Sequence, residues 1–335
     1  MKPKIAISMG DPAGISPEII ADSLEAACCI ATPVVFGHLP TMREVMDDAL
    51  RDRIVVLEKP GVVPDGRIGF VSIRGGGDTP IDIVDDRCAR AQFESLEYAV
   101  DAVLGGALDA LVTAPVAKNA IAEVSPGFTG HTEYLATRAG LAKDDVTMVF
   151  VSPLLAVGMV STHIPLKDVP GAVTLRRLDR TYRHVLRTCQ RKETSQKPRI
   201  GIAALNPHAG EDGLFGTEEA ALLKPFCKDK AVDIDATVVG PLPADAIFRD
   251  ALNGGLDGVV ALYHDQALIP LKLGGVGQMV NLTMGLPFIR TSPDHGVAYD
   301  IARTGKADAS GMKLAIALAV EMTEGIRRKT SDDVF

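Results

Sequence analysis

The stretch KIAISMGDPAGISPEIIADSLEAA, Lys4–Ala27, carries the pattern from which the fold is read. Lys4–Met9 is a short apolar run, too brief for a helix and suited to a strand. Gly10–Gly14 then breaks the run with glycine and proline, residues that turn a chain. Beyond it the apolar positions return at helical spacing, with Ser16 read as N-cap, Pro17 at the first helical position and Glu18 in the first turn.

Working outward, the same alternation continues to the end of the chain. Further strands are expected at Pro33–Phe36, Ile54–Leu57, Ile68–Ile73, Ala110–Thr113, Thr147–Val151, Ala156–Ser161, Ile200–Ala204, Gly258–Tyr263 and Val280–Thr283. Helices are expected at Cys88–Leu104, Thr174–Arg191, Thr217–Leu223 and Met312–Arg327. Several strands are apolar on both faces, as strands between two helical layers are. The pattern is α/β with a mostly parallel sheet, and so many strands imply two lobes. Gly75–Gly77 reads as a surface loop.

The bulk properties exclude several classes. The 335 residues are 47% hydrophobic and 23% charged, a globular composition with ample material for a core. A net charge of −8 disfavours a nucleic-acid partner. No stretch approaches the roughly 18 apolar residues of a membrane span. Met1–Ser8 has no signal-peptide apolar region, so a cytoplasmic protein is expected. The five cysteines, Cys28, Cys29, Cys88, Cys189 and Cys227, show no CxxC pair and read as reduced thiols.

Ligands of open α/β sheets bind beyond the carboxyl ends of the strands. Three of the seven histidines occupy that position here: His163, His208 and His264 each follow a predicted strand. Neutral imidazoles converging there suit a divalent cation with an open coordination position. Asp245 and Asp265 can orient an imidazole, complete the coordination or accept a proton. Lys272, Asn281 and Arg290 form a second group suited to phosphate or carboxylate. Gly130-His131-Thr132-Glu133 opens a predicted helix, whose amides and Thr132 hydroxyl can receive an anion. His38 and His184 read as structural or surface histidines. There is no GxGxxG after the first strand, no P-loop, no HExxH and no GxSxG.

Seven segments together resemble the 4-hydroxythreonine-4-phosphate dehydrogenase family over nearly the whole length. They are MGDPAGISPE (Met9–Glu18), GHTEYLA (Gly130–Ala136), STHIPL (Ser161–Leu166), NPHAGEDGLFG (Asn206–Gly216), GPLPADAIF (Gly240–Phe248), YHDQALIPLK (Tyr263–Lys272) and NLTMGLPFIRT (Asn281–Thr291), followed by Asp294–Ala307. The resemblance implies a divalent metal (zinc, magnesium, manganese or cobalt) held by His163, His208 and His264 near a homodimer interface that both subunits build. It implies substrate contacts from His131, Thr132, Lys272, Asn281 and Arg290, with Asp245 and Asp265 near the metal as candidate bases. The implied fold is two α/β/α lobes around a central cleft, similar to isocitrate and isopropylmalate dehydrogenases. Residues 1–129 with 305–335 would form one lobe, and 130–304 the lobe bearing the metal and substrate residues. His295–Ala302 is similar to the loop that holds the adenosine part of NAD in isopropylmalate dehydrogenases, which points to His295, Gly296 and Asp300 for NAD or NADP. Its C-terminal helix is expected to pack back on the N-terminal lobe.

Two positions depart from the family pattern. Ser16 replaces a glycine, and Arg303 replaces the glycine usual after the alanine, which leaves the choice between NAD and NADP open. The implied activity is metal-dependent oxidation of 4-phosphohydroxy-L-threonine, an intermediate of pyridoxal phosphate synthesis. Relatives that oxidise D-threonate or D-erythronate 4-phosphate share the same motifs and form the first alternative. A metal-dependent hydrolase, which needs no nicotinamide, is the alternative of another class.

Overall fold

The computed structural model describes residues 2–191, 196–274 and 279–332. Its strands are β1 (Lys4–Ser8), β2 (Thr32–Gly37), β3 (Ile54–Leu57), β4 (Ile68–Ser72), β5 (Ala110–Thr113), β6 (Thr147–Val151), β7 (Ala156–Met159), β8 (Arg199–Ala203), β9 (Thr237–Leu242), β10 (Gly258–Ala261), β11 (Val280–Met284) and β12 (Ile289–Pro293). They fall in two units, residues 1–143 with 286–335 and residues 144–285. The mixed α/β class is as expected.

In the first unit the strand order is β3-β4-β2-β1-β5-β12, and every neighbouring pair is parallel. Apolar side chains of β1, β2 and β4 meet the helix Asp86–Leu104 in a core that includes Ala6, Phe36, Val71, Leu96, Val100 and Leu111. Asp85 starts that helix by accepting the Cys88 amide at 2.9 Å. The C-terminal helix, Ser310–Asp332, belongs to this unit, and Arg327 bridges to Asp109 at 2.8 Å.

In the second unit the order is β11-β6-β7-β10-β8-β9. β6 is antiparallel to both β11 and β7, whereas β7, β10, β8 and β9 run parallel. The core gathers Phe150, Val157, Met159, Ile247, Phe248 and Leu271.

Three expectations need correction. The unit boundaries lie at 143/144 and 285/286 rather than 129/130 and 304/305. The reason is packing: Phe128, Leu135 and Phe288 join the first core, and β12 pairs with β5. Ser16 is not the N-cap; it lies inside the helix Ser16–Ile30 and donates its hydroxyl to Pro115 O at 3.0 Å. Gly75–Gly77 is more than a surface loop. A Cβ on buried Gly76 would stand 2.4 Å from the His38 ring, and Gly77 O bonds His38 Nε2 at 2.9 Å. The five cysteines are free thiols, Cys29 alone being exposed.

Candidate active site

The second unit delivers the three histidines to one end of its parallel strands. β7, β10 and β8 are neighbours in that order, and each is followed by one of them. Ser161 Oγ donates to Leu262 O at 2.7 Å, tying the exits of β7 and β10. Buried Gln266 accepts the Leu262 amide and donates to Ala204 O, both at 2.7 Å, which joins the exits of β10 and β8. His163 and His264 meet, with ring centroids 5.5 Å apart. His264 begins the helix His264–Leu273, and its Nδ1 bonds Asp265 Oδ1 at 2.7 Å.

His208 stands apart from that pair. Its ring packs on Phe215 at 6.0 Å and its Nδ1 bonds Glu211 at 2.9 Å. Among the described residues, no group of three His, Cys, Asp or Glu is placed to hold a metal ion. The loop bearing His208 is unusual: His208, Ala209, Gly210, Glu211 and Asp212 all have positive φ, between 41° and 81°. For residues with a Cβ this hand is costly, so something must hold it. Glu219 anchors the residues that lead into this loop, accepting the Leu205 and Asn206 amides at 2.8 Å and the Asn206 side chain at 2.9 Å. Burial opposes ionisation of Glu219, but these bonds outweigh it and keep its pKa below the ordinary value.

Asp245 and Asp265 line one cavity of about 560 Å³, with Phe248, Leu252, Tyr263 and Ile269 as its apolar wall. Both carboxylates are exposed. Lys272 is exposed on the last turn of the helix that His264 begins. Asn281 lies on β11 opposite Phe150, and its buried Oδ1 has no hydrogen-bond partner among the described residues.

The other substrate candidates belong to the first unit. Arg290 is 3% exposed on β12 and donates to Thr113 at the end of β5, at 2.7 Å. A guanidinium so enclosed is harder to keep charged, and burial lowers its pKa to about 10. His131 opens the helix His131–Arg138, held edge-on to Phe128 at 6.3 Å, with Thr132 beside it. Burial first, then the charges of Arg290 and Lys118, hold the His131 pKa well below its usual value, so the ring is neutral at neutral pH. His131 Nε2 is buried and has no hydrogen-bond partner among the described residues. A neutral donor, a guanidinium and a helix N-terminus are a receptor for an anion.

His295, Gly296 and Asp300 are exposed on the loop after β12. That loop is pinned to the glycine turn after β1. Ile15 N donates to Val297 O at 3.0 Å, and a Cβ on Gly14 would stand 2.6 Å from the same oxygen. The Tyr299 hydroxyl donates to Asp11, a buried carboxylate that also accepts the Ala13 amide and the Cys88 thiol. Burial, then Asp11, pushes the Cys88 pKa up to about 12. Arg303 turns its guanidinium to the carbonyls of Ile81 and Pro12, at 2.5 and 3.5 Å. Sequence reasoning assigned no role to Asp11, Tyr299, Thr113, Lys118 or Glu219, although Asp11 and Tyr299 lay inside segments that carry the resemblance.

Comparison with known proteins adds a family. Residues 29–319 match the model of the pyridoxal phosphate biosynthetic protein PdxA family. A 4-hydroxythreonine-4-phosphate dehydrogenase of Geobacter metallireducens is 41% identical over 332 residues, 96% of each chain. A D-threonate 4-phosphate dehydrogenase of Salmonella typhimurium is 39% identical over 327 residues, 95% of this chain and 98% of its own. The crystal structure of a 4-hydroxythreonine-4-phosphate dehydrogenase from Klebsiella pneumoniae superposes with a TM-score of 0.80 at 36% identity, covering 96% of this chain and 98% of that one. At 14% identity and a TM-score of 0.51, a beta-decarboxylating dehydrogenase of Thermococcus kodakarensis, covering 96% of this chain and 83% of that one, shares the fold.

Proposed function

We infer the reaction from one premise: the chain belongs to the pyridoxal phosphate biosynthetic protein PdxA family and is a dehydrogenase, an oxidoreductase. The proposed reaction is oxidation of the secondary hydroxyl of 4-phosphohydroxy-L-threonine by NAD or NADP. The product, 2-amino-3-oxo-4-phosphooxybutanoate, loses carbon dioxide to give 3-amino-2-oxopropyl phosphate. The observation that carries this reading is the enclosed anion receptor of His131 and Arg290, which suits the substrate phosphate. Thr132, Lys272 and Asn281 are assigned to the same substrate.

The imidazoles of His163 and His264 fit a divalent cation by donor chemistry. Asp265 orients the His264 ring through Nδ1 and leaves Nε2 as donor. His208 completes the set from a second copy of this chain in a homodimer. Exposed apolar side chains accompany each histidine: Ile164 and Leu166, Leu214 and Phe215, and Ile269 and Leu273. Such surfaces are ordinarily covered by a partner. A bound divalent cation would supply Lewis acidity that lowers the pKa of a neighbouring hydroxyl.

Asp245 or Asp265 takes the hydroxyl proton, directly or through water. His131 and Arg290 fix the phosphate end so that the carbon losing hydride stays in one orientation. A bound nicotinamide cofactor would supply the hydride acceptor, and His295, Gly296 and Asp300 would hold its adenosine part. No helix among the described residues is long and apolar enough to cross a membrane, and a cytoplasmic location fits this chemistry.

A second reading, oxidation of D-threonate or D-erythronate 4-phosphate, is favoured by the likeness to the Salmonella enzyme. Both are tested by offering the amino acid and the sugar acids in parallel and identifying products by mass spectrometry. 3-Amino-2-oxopropyl phosphate from the amino acid supports the first reading; turnover confined to the sugar acids replaces it with the second. No oxidation of either class contradicts both.

A further inference from the structure

The helix Lys118–Val124 begins five residues after Thr113, where β5 ends, so one strand exit leads to both Thr113 and Lys118. Thr113 holds the buried Arg290. Ala117, just before Lys118, is itself held: its amide donates to Gln92 Oε1 at 2.8 Å. Lys118 is an exposed residue, and its ammonium lies beside the glycine that leads into the anion receptor. A Cβ built on Gly130 would stand 3.4 Å from Lys118 Nζ, so the cation lies directly over the residue that precedes His131. The charge of Lys118 also reaches the imidazole, being one of the causes of its depressed pKa.

Lys118 and Arg290 both oppose protonation of the His131 ring, so two cations are gathered about one neutral imidazole. The nearby Glu133 carboxylate is a single negative charge, with one oxygen 2.9 Å from the same Cβ position on Gly130. A phosphomonoester brings up to two negative charges. Glycine at position 130 also matters, because a side chain would fill the space between Lys118 and Glu133.

We propose that Lys118 is a phosphate-binding residue of this site, closing over the anion from the exposed side while His131 and Arg290 hold it from the buried side. The proposal rests on the phosphate reading of the His131 and Arg290 receptor. Its ligand class is a phosphomonoester dianion, and its role is affinity for the phosphorylated end, remote from the reacting carbon.

The test is calorimetric titration of the full-length protein with inorganic phosphate, for wild type and for Lys118→Met, Lys118→Arg and Arg290→Met. Thermal melts of each variant report whether it folds. Lys118→Met is expected to weaken phosphate binding about tenfold, roughly 1.4 kcal/mol. Lys118→Arg should stay within about threefold of wild type, because the charge is kept. With a phosphorylated substrate, Lys118→Met should raise KM by a similar factor and leave kcat within about threefold. Wild-type phosphate affinity in a folded Lys118→Met, alongside loss in Arg290→Met, overturns the role of Lys118 and keeps the receptor. Failure of wild type itself to bind phosphate overturns the receptor reading and the proposal with it.

Discussion

Tyr299 and Asp11 are joined by a hydrogen bond of 2.6 Å between residues 288 apart in sequence, the Tyr299 hydroxyl donating to a carboxylate that is itself buried. The bond fastens the exposed loop of His295, Gly296 and Asp300 to the turn after β1. Tyr299→Phe removes it without changing the ring. KM for the nicotinamide cofactor is expected to rise about tenfold, the worth of one such bond to a charged group. KM for the phosphorylated substrate should move little. Equal changes in both constants would detach this loop from cofactor binding.

The buried histidines give the protein an acid-labile side. His184 is 8% exposed, and burial, with Arg180 and Arg187 nearby, lowers its pKa from 6.5 to about 4. The unfolded chain takes up that proton near pH 6.5, whereas the folded chain resists until about pH 4. Stability from this group is therefore full above pH 6.5 and is lost as pH falls toward 4. The loss amounts to about 3 kcal/mol. His131 and His38 shift in the same direction and add to it. Urea unfolding across this range should show the decline, and His184→Gln should flatten it. An unchanged slope in that variant would contradict the assignment.

The left-handed run at His208 predicts a stabilising change. Ala209 has φ 53°, a conformation that glycine adopts without its steric cost. Ala209→Gly is expected to raise the unfolding free energy by about 1 kcal/mol. Glu219→Ala should lower it by about 2–4 kcal/mol, since the Leu205 and Asn206 amides lose their acceptor. A destabilised Ala209→Gly would show that the strain is relieved some other way.

Sharing of the metal between copies can be tested by complementation. With His163 and His264 from one chain and His208 from the other, a hybrid of His163→Ala and His208→Ala subunits holds one intact site and one doubly broken site. Mixing the two inactive variants under exchange conditions should therefore restore metal binding, read by equilibrium dialysis, at up to about half the wild-type stoichiometry in each hybrid dimer. No recovery is the outcome expected if each chain supplies all three imidazoles itself.

Much of this was legible before the structure because it is local. A strand, a turn and a helix follow one another in Lys4–Ala27, and a histidine after a strand needs only the strand to be seen. β12 was missed because the buried Arg290 interrupts its apolar pattern, and a guanidinium is buried only when the fold provides for it. β9 was missed because it is mostly half-exposed and contains Gly240 and Pro241, residues that weaken a strand signal. The unit boundaries depend on Phe128, Leu135 and Phe288 joining one core, a contact no spacing rule reveals. The separation of His208 from the other two histidines is likewise tertiary. In sequence, three histidines after three strands look equivalent. Lys118 is one exposed lysine among many until Gly130 is found beneath it.

The account stands most directly on a spectrophotometric assay of the purified protein, following reduced nicotinamide with a divalent metal present. 4-Phosphohydroxy-L-threonine and its dephosphorylated form would be compared at equal concentration. Steady reduction of NAD or NADP with the phosphorylated compound, falling at least about a hundredfold in kcat/KM without the phosphate, is the predicted result, worth roughly 3 kcal/mol of phosphate binding. Absence of nicotinamide reduction with 4-phosphohydroxy-L-threonine and with the sugar-acid phosphates alike, or equal rates with and without phosphate, would contradict it.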